Sequence, residues 1–466
     1  MRDKTSRRDF IAKSSLMAAG VSLSAGMFPA SGKVLGANDK VRMGFIGVGN
    51  RGSQLLGLFM DNPSCEVAAL CDAYEPYMTR NRSEVDPRYI KELGGTIPRM
   101  GEEFPTKPTL YKDWRKMLED KSIDAVCIST PDHWHALQTI GAIQAGKDVY
   151  VEKPLTITIF EGRKMVEAQA ASKQIVTVGL NRRGNPIYQQ LAKDIPAGKI
   201  GKVTYSRAFR VNGMFPDGVG KMGPETPPTN LDWEAWLGPR AYRPYQYNIA
   251  PYKFRWWNDY SSQMGNWGVH YMDVIRWLMG ERAPVAISAH GAQYALTHDA
   301  DIPDTMQVTY EFASGALIVF TISETSSANM MQRGEVELRG TKGTLLASES
   351  GYQILPNRPG QFQAQGQAIQ AEDVNRADEQ LADGSGGVGT RTLINDFLAC
   401  VKSRQTPLCT LEEGHRSTCF AHLANIALAT KERLQWDPEK ERFTNSAKAN
   451  ELLHYNYRSQ WKMYGL

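Results

Sequence analysis

The pattern of apolar and polar positions divides the chain into two parts. Up to about residue 180, short apolar runs alternate with segments whose apolar residues recur at helical spacing. Apolar runs of this kind are typical of parallel strands that are buried on both faces. The predicted strands are 41–46, 67–71, 123–129, 148–151 and 175–179, and the predicted helices are 53–60, 136–145 and 159–171. This order predicts a parallel sheet covered by helices on both faces.

From Gly201 the pattern changes to short alternating segments separated by turns, which predicts an antiparallel sheet with a helix over 266–279 packed on it. Residues 358–390 are rich in Gln, Ala, Gly and Asp and predict a mobile loop. The predicted fold class is therefore α/β, with one domain over 38–180 and a second over 181–466. The predicted strands are 202–210, 285–295, 305–312, 317–324, 335–339 and 343–347, and two later helices are predicted near 392–402 and 415–431.

A glycine motif joins the first predicted strand to the first helix. It reads G-V-G-N-R-G from Gly47, which is a complete G-x-G-x-x-G. Gly47 would permit the tight turn, Gly49 would let the backbone approach a pyrophosphate, and Gly52 would let helix and strand pack closely. The phosphates would lie on the helix N-terminus at Asn50 and Arg51.

The second predicted strand ends at Asp72, twenty positions after Gly52. An acidic side chain at this point accepts hydrogen bonds from the adenosine ribose and repels a 2′-phosphate, so NAD is favoured over NADP. A glycine turn that binds nothing is the alternative, because a chain with 41 glycines contains such motifs by chance. The strand, turn, helix, strand and terminal acid together favour a Rossmann dinucleotide-binding domain.

The net charge of +4 comes entirely from the first 37 residues, which carry six basic and two acidic side chains. The remainder of the 466 residues balances to zero, so net charge gives no support to a nucleic-acid partner.

The N-terminal residues predict an export signal. Arg7 and Arg8 form a twin-arginine pattern, and the weakly apolar stretch 16–28 that follows is too short to span a bilayer. We expect a Tat signal over 1–37 that directs the protein to the periplasm, without a stable membrane anchor. An uncleaved amphipathic or disordered tail is the alternative. Export after folding predicts a tightly bound nucleotide, because the periplasm has no free NAD pool.

Further motifs follow in order. They are Thr130-Pro131 with His135, then E-K-P over 152–154, and G-N-W-G-V-H-Y-M-D over 265–273. Together with the glycine motif and the acid after the second strand, they resemble the Gfo/Idh/MocA oxidoreductases. The resemblance implies a Rossmann domain joined to an α/β domain with an open, mainly antiparallel sheet. It also implies a homodimer or homotetramer, and places Thr130, Pro131 and His135 at the cofactor.

The resemblance further assigns the catalytic pair. It places Lys153 beside the nicotinamide and the substrate, with Glu152 on the nicotinamide side, and makes His270 the acid–base residue. A partly desolvated ammonium can stabilise a developing alkoxide, and an imidazole can take the hydroxyl proton. The alternatives are a surface lysine after a strand and a satisfied core histidine.

Asn266, His270 and Asp273 have the spacing of one helical face, which we expect to line the active cleft. Many members of the family carry aspartate at the position of Asn266, and an amide can neither carry charge nor share a proton. Either Lys153 and His270 suffice, or another acid such as Asp273 or Asp259 helps. No metal is expected, since nothing nearby supplies a clear third ligand.

The substrate side is rich in aromatic and amide side chains. Asn181 and Arg182 follow the last parallel strand, and Trp257 and Tyr260 belong to a group of aromatic residues. For any single tryptophan, core packing is the alternative role. Aromatic faces combined with arginine and amide donors suit sugar rings. The predicted function is hydride transfer between a carbohydrate hydroxyl carbon and bound NAD. Two alternatives stay open, an NAD-dependent glycoside hydrolase that works by oxidation, elimination and reduction, and a non-catalytic sugar-binding protein.

Overall fold

A computed structural model describes residues 39–93, 104–328, 330–331, 334–362, 369–376, 387–458 and 460–462. The predicted export signal over 1–37 lies outside the described residues, as do 363–368 and 377–386 of the predicted loop.

The first sheet contains six parallel strands in the order β3-β2-β1-β4-β5-β6. Chain order reverses between β1 and β4, and ligands of such sheets bind at the carboxyl ends of the strands near this point. The strands are β1 Val41–Ile46, β2 Cys65–Cys71, β3 Thr109–Tyr111, β4 Ala125–Ile128, β5 Asp148–Val151 and β6 Val176–Val178. The predicted Rossmann sheet is confirmed.

Helices cover both faces of this sheet and lead into the second part of the chain. They are α1 Asn50–Met60, α2 Glu75–Thr79, α3 Pro87–Leu93, α4 Trp114–Glu119, α5 His135–Gln144, α6 Ile159–Ala170 and α7 Pro186–Asp194. The later helices are α8 Trp233–Leu237, α9 Val269–Met279, α10 Gly387–Ser403, α11 Leu411–Thr430 and α12 Ala447–Glu451. A π-helical turn, Met264–Gly268, directly precedes α9.

The second sheet has eleven strands and is mainly antiparallel, as predicted. Its order is β15-β14-β13-β12-β7-β10-β9-β8-β16-β17, with β11 paired to the end of β7. Among the strand pairs in the described ranges, only β7–β10 is parallel. The strands are β7 Val203–Gly213, β8 Ala286–Ala292, β9 Thr305–Glu311, β10 Leu317–Ser323, β11 Thr325–Ser326, β12 Val336–Gly340, β13 Gly343–Ser348, β14 Gly351–Pro356, β15 Glu372–Asn375, β16 Leu434–Asp437 and β17 Arg442–Phe443.

The prediction of a loop over 358–390 is partly wrong. It contains the short strand β15, which pairs with β14, and α10 begins within it at Gly387. The sequence pattern did not predict β15. This edge strand is partly exposed along its length and contains few apolar residues, so it lacks the usual strand signal.

Two segments beyond residue 180 return to the core of the first sheet. One runs from Leu231 to Tyr260, and the other is α10 with the residues that follow it. The ring of Phe397 on α10 lies 6.3 Å from that of Phe59 and 5.9 Å from that of Tyr150, in edge-to-face geometry. Distant parts of the sequence therefore complete the nucleotide-binding half.

The glycine turn allows a closer approach of helix and strand than any side chain would permit. A Cβ built on Gly52 would lie 2.1 Å from the carbonyl oxygen of Gly47. A Cβ built on Gly57, in the same helix, would meet nothing within 4 Å.

We therefore expect Gly52→Ala to destabilise the fold by about 1–3 kcal/mol, because the turn must move to admit the methyl group. Gly57→Ala is the matched control and should stabilise the fold by about 0.5–1 kcal/mol, because alanine loses less backbone entropy in a helix. The measurement is the free energy of unfolding in denaturant. A Gly52→Ala protein as stable as the wild type would show that close packing at this turn is not a constraint.

Candidate active site

A cleft of about 1110 Å³ runs along the carboxyl edge of the first sheet. The glycine turn and the loops after β2, β3, β4 and β5 form one wall, and β7 with the π-helical turn contributes to the other. Thirteen of the predicted site residues line it. These are Gly47, Gly49, Asn50, Arg51, Asp72, Thr130, Pro131, Glu152, Lys153, Asn181, Arg182, Asn266 and His270.

The glycine turn has the geometry that a pyrophosphate requires. Gly47 takes a φ of +82°, which favours glycine, and its N–H donates to the carbonyl of Cys71 at 2.8 Å. No side chain caps the first turn of α1, which begins at Asn50. The N-terminal amides and the positive end of the helix therefore face the cleft beside Gly49 and Asn50.

Asp72 is held in place by the main chain. Its carboxylate accepts the N–H of Val48 at 2.8 Å and the N–H of Tyr74 at 2.9 Å. Burial raises the pKa of Asp72 to about 6, although these N–H donors oppose the rise. Each carboxylate oxygen keeps a second lone pair, so the group can still accept a ribose hydroxyl.

Arg51 and Glu152 form an ion pair across the mouth of the turn. Arg51 Nε lies 2.9 Å from Glu152 Oε1, and the glutamate side chain is almost fully buried. The missing side chain of Gly179 makes room for this carboxylate, since a Cβ there would lie 2.8 Å from Oε1. The pair joins the pyrophosphate end of the cleft to the loop that carries Lys153.

Lys153 reaches across the cleft to the second domain. Its Nζ donates to the main-chain carbonyl of Asn266 at 2.7 Å and lies 3.4 Å from Asn266 Oδ1. Burial lowers the pKa of Lys153 to about 8, against the opposing charges of Glu152 and Asp132. The closer contact is to the backbone, so it does not depend on whether residue 266 is an amide or an acid.

His270 lies in the first turn of α9 and faces the same cleft. Burial, followed by the nearby charge of Lys153, holds the pKa of His270 well below its ordinary value, so the ring is neutral. Within the described residues, its buried Nδ1 has no hydrogen-bond partner. A buried polar atom without a partner is costly unless a ligand supplies one.

Arg182 lines the cleft but its guanidinium is already engaged. It forms a double hydrogen bond with Glu335 at 2.8 and 2.6 Å, and lies 5.2 Å from the ring centre of Tyr271. Asn181 Nδ2 donates to Glu349 Oε1 at 3.3 Å. These contacts order the cleft wall that follows β6.

The structure places five predicted site residues outside the cleft lining. Two of these, Gly52 and His135, lie behind the lining. The ring nitrogens of His135 lie 2.8 Å from the carbonyl oxygen of Pro154 and 2.9 Å from that of Thr130, and the nitrogen that carries the proton donates to one of them. His135 therefore fixes two cofactor loops without facing the cofactor.

Trp257 and Tyr260 are not substrate residues by position. Trp257 Nε1 donates to the carbonyl of Asn248 at 2.8 Å, and the ring of Tyr260 packs 4.8 Å from Trp236 in the core. Both side chains are buried, as expected for large aromatic residues in a sequence segment that completes the first core.

Asp273 is also corrected by the structure. It is 1% exposed and takes the guanidinium of Arg183 at 2.8 Å and the hydroxyl of Ser417 at 2.5 Å. The prediction placed Asn266, His270 and Asp273 on one helical face. His270 and Asp273 do lie one turn apart in α9, but the carboxylate of Asp273 is enclosed by Arg183 and Ser417, away from the cleft lining. Asn266 and His270 enter the cleft, and Asp273 does not.

Several cleft residues were missed by the sequence analysis. The guanidinium of Arg210 lies 3.8 Å from the ring centre of Trp267, and both residues line the substrate side. Gln460 and Trp461 come from the far end of the chain. A mid-strand arginine and a C-terminal tryptophan carry no motif that would have marked them.

One group of described side chains has metal-binding donors close together. His415, Cys419 and Glu441 bring their donor atoms within 4.8 Å of one another. His415 Nε2 already pairs with Glu441 at 2.8 Å, and Arg163 lies 2.6 Å from the same carboxylate oxygen. A guanidinium at this distance disfavours a second cation.

Comparison with known families agrees with this geometry. Residues 41–180 match the profile described as an oxidoreductase family with an NAD-binding Rossmann fold. Residues 235–346 match the GFO/IDH/MocA C-terminal domain, and 385–463 match the C-terminal alpha/beta domain of the oxidoreductase family. Together these matches cover more than half of the chain.

The chain belongs to the Gfo/Idh/MocA family. Its first domain is therefore an NAD-binding Rossmann domain, and the predicted cofactor is confirmed.

Two relatives of this Gfo/Idh/MocA protein each match part of the chain. A glycosyl hydrolase family 109 protein from Shewanella pealeana is 33% identical over 184 residues, which are 35% of this chain and 37% of that protein. An inositol 2-dehydrogenase from Saccharopolyspora erythraea is 26% identical over 284 residues, or 58% of this chain and 71% of that protein. The chain thus spans less than half of the first relative's length.

Solved structures show the same fold. A levoglucosan dehydrogenase in complex with NADH and levoglucosan matches with a TM-score of 0.60 at 19% identity, covering 85% of this chain and 99% of that one. Among the helices in the described ranges, none is long and apolar enough to cross a membrane.

Proposed function

We propose that this protein is an NAD-dependent oxidoreductase that transfers hydride between its nucleotide and a hydroxyl carbon of a sugar, glycoside or polyol. The observation that carries the proposal is the meeting of Lys153 and His270 in one cleft with the glycine turn. Lys153 belongs to the first domain and His270 to the second. The buried Nδ1 of His270 has no hydrogen-bond partner in the part of the chain that the structure describes.

Bound NAD would accept the hydride, held by the glycine turn at its pyrophosphate and by Asp72 at its adenosine ribose. The loop with Glu152 and Lys153 follows β5, on the opposite side of β1 from Asp72. If the adenosine lies at the end of β2, the nicotinamide lies on the other side of β1, close to Lys153. The proposed proton transfer takes place there.

Lys153 and His270 divide the proton chemistry between them. His270 is neutral and can accept the proton of a substrate hydroxyl. Lys153 keeps its ammonium form below about pH 8 and can donate a hydrogen bond to the same oxygen as negative charge develops. The hydrogen bond from Lys153 Nζ to the main-chain carbonyl of Asn266 holds the ammonium in position for this role.

A carbohydrate substrate is favoured by the opposite wall of the cleft. The guanidinium of Arg210 stacks on the ring of Trp267, so an apolar indole lies beside a hydrogen-bond donor. Asn212 and Trp256 line the cleft with them. Sugars present both C–H faces and hydroxyls to such walls. Relatives named as inositol and levoglucosan dehydrogenases support the same substrate class.

We also propose that the nucleotide stays bound through catalysis. The twin-arginine segment favours export to the periplasm after folding, where released NADH would not be reoxidised. Hydride would then return to a second sugar or to a product of the first. The assembly is proposed to be a homodimer or homotetramer built through the second sheet.

A second candidate is a glycoside hydrolase that works without net oxidation. Oxidation of one ring carbon to a ketone acidifies the adjacent C–H, which permits elimination of the aglycone; water then adds and the ketone is reduced by the same nucleotide. The similarity to a glycosyl hydrolase family 109 protein favours this candidate. The retained Glu152 and Lys153 favour the dehydrogenase.

The test is a single-turnover experiment with the purified, nucleotide-loaded protein and a panel of sugars, polyols and nitrophenyl glycosides. We expect a substrate-dependent appearance of reduced nicotinamide absorbance with an oxidised sugar product. His270→Gln should lower this rate by about 10²–10⁴-fold, because it removes the proton acceptor.

Free nitrophenol without net reduction of the nucleotide would instead support the hydrolase. No hydride transfer with any member of the panel, by a protein that retains NAD, would contradict both enzyme candidates and favour a binding role.

The pH profile distinguishes the two proton-carrying groups. His270 stays neutral well below pH 6.5. Lys153 loses its proton as the pH rises through about 8. The rate of substrate oxidation should therefore be level through neutrality and fall above about pH 8. Lys153→Arg, which keeps its charge to high pH, should be slower but lack this fall. A rate that rises through pH 8 would mean that Lys153 is the base.

A further inference from the structure

The residues after α12 leave the second domain. The chain returns to the Rossmann half through residues 452–458 and 460–462, which we name the C-terminal segment. Tyr457 Oη in this segment donates to Glu161 Oε1 on α6 at 2.6 Å. The segment therefore lies against the domain that binds the nucleotide.

Arg458 fixes the segment beside the cleft. Its N–H donates to the carbonyl of Pro239 at 3.0 Å, and its Nε donates to the carbonyl of Gly238 at 2.9 Å. Its guanidinium also pairs with Glu234 at 2.7 Å, and Gln460 Nε2 donates to the same carboxylate at 2.7 Å. These four polar contacts hold the chain at Gln460 and Trp461 beside the cleft.

Trp461 and Gln460 both line the cleft. The ring of Trp461 packs edge-to-face on Trp134, with centres 4.8 Å apart, and the guanidinium of Arg115 lies 5.1 Å from its centre. The indole N–H groups of Trp461 and Trp114 are buried, and neither has an acceptor among the described residues. Two unused donors in one corner of a ligand cleft point to a polar ligand there.

This corner is the adenosine half of the cleft. Asp72 ends β2, and the loop with Trp114 and Arg115 follows β3, the edge strand next to it. Lys153 follows β5, on the other side of β1. A dinucleotide bound across the carboxyl edge of such a sheet places its adenosine at β2 and its nicotinamide on the opposite side.

We propose that the C-terminal segment binds the adenosine half of NAD through Trp461 and Gln460 and slows release of the nucleotide. The indole of Trp461 offers an aromatic face and an N–H donor, and the Gln460 amide offers a carbonyl acceptor. Adenosine has a flat base that can stack and carries both hydrogen-bond acceptors and donors, so it can use all three. The inference rests on the retained nucleotide of the proposed function and is independent of the substrate.

The experiment measures exchange of bound NAD for isotope-labelled NAD in the full-length holoprotein, by mass spectrometry of the nucleotide that remains after rapid gel filtration. Trp461→Ala should exchange about tenfold faster than the wild type, the loss expected for one aromatic contact to a base. Trp461→Phe, which keeps a ring without the N–H, should fall between the two. Arg458→Ala should also exchange faster, because it releases the segment.

Lys462→Ala is the matched control, since Lys462 is the exposed neighbour of Trp461 and should leave exchange unchanged. A second readout uses nucleotide fragments on stripped protein: Trp461→Ala should weaken AMP binding and leave nicotinamide mononucleotide binding unchanged. Wild-type exchange in Trp461→Ala, or equal weakening of both fragments, would overturn the proposal. Failure of the wild-type protein to oxidise any sugar would overturn the proposed function without affecting these readouts.

Discussion

The hydrogen bond between Lys153 Nζ and the main-chain carbonyl of Asn266 joins the two halves of the site. It takes an ammonium from the loop after β5 and anchors it on the π-helical turn of the second domain. The wide turn places this carbonyl and the imidazole of His270 beside the same cleft. Because the acceptor is a backbone atom, the site keeps its lysine in position although the chain carries an amide at residue 266.

A buried ionic cluster supports this arrangement from behind. Asp273 on α9 accepts Arg183 from the turn that also carries Arg182, and Arg276 pairs with Glu413 at the start of α11. Arg183 and Asp273 are both buried, and removing one partner from such a pair costs about 3–5 kcal/mol, so this pair fixes the elements around His270. Charge at Asp273 thus contributes to the site through position and not through contact with the substrate.

The sequence predicts which residues reach the cleft where those residues stand at the end of a strand. The glycine turn, Asp72 and Lys153 each stand directly after a predicted strand of a parallel sheet, and that position alone brings them to one edge. The prediction was wrong for Asp273, because helical spacing does not reveal that Arg183 and Ser417, from distant parts of the sequence, enclose this carboxylate. The sequence could not reveal Trp461, whose place depends on a return of the chain to a domain more than 280 residues earlier. Trp257 and Tyr260 were taken for binding residues, although aromatic residues of this size more often fill a core.

The most direct test is to denature the purified protein and identify any released nucleotide by mass and absorbance. The expected result is one NAD or NADH per chain, because an acidic side chain at Asp72 disfavours a 2′-phosphate and because we propose that the C-terminal segment holds the adenosine. An empty protein, or one that carries NADP, would contradict it.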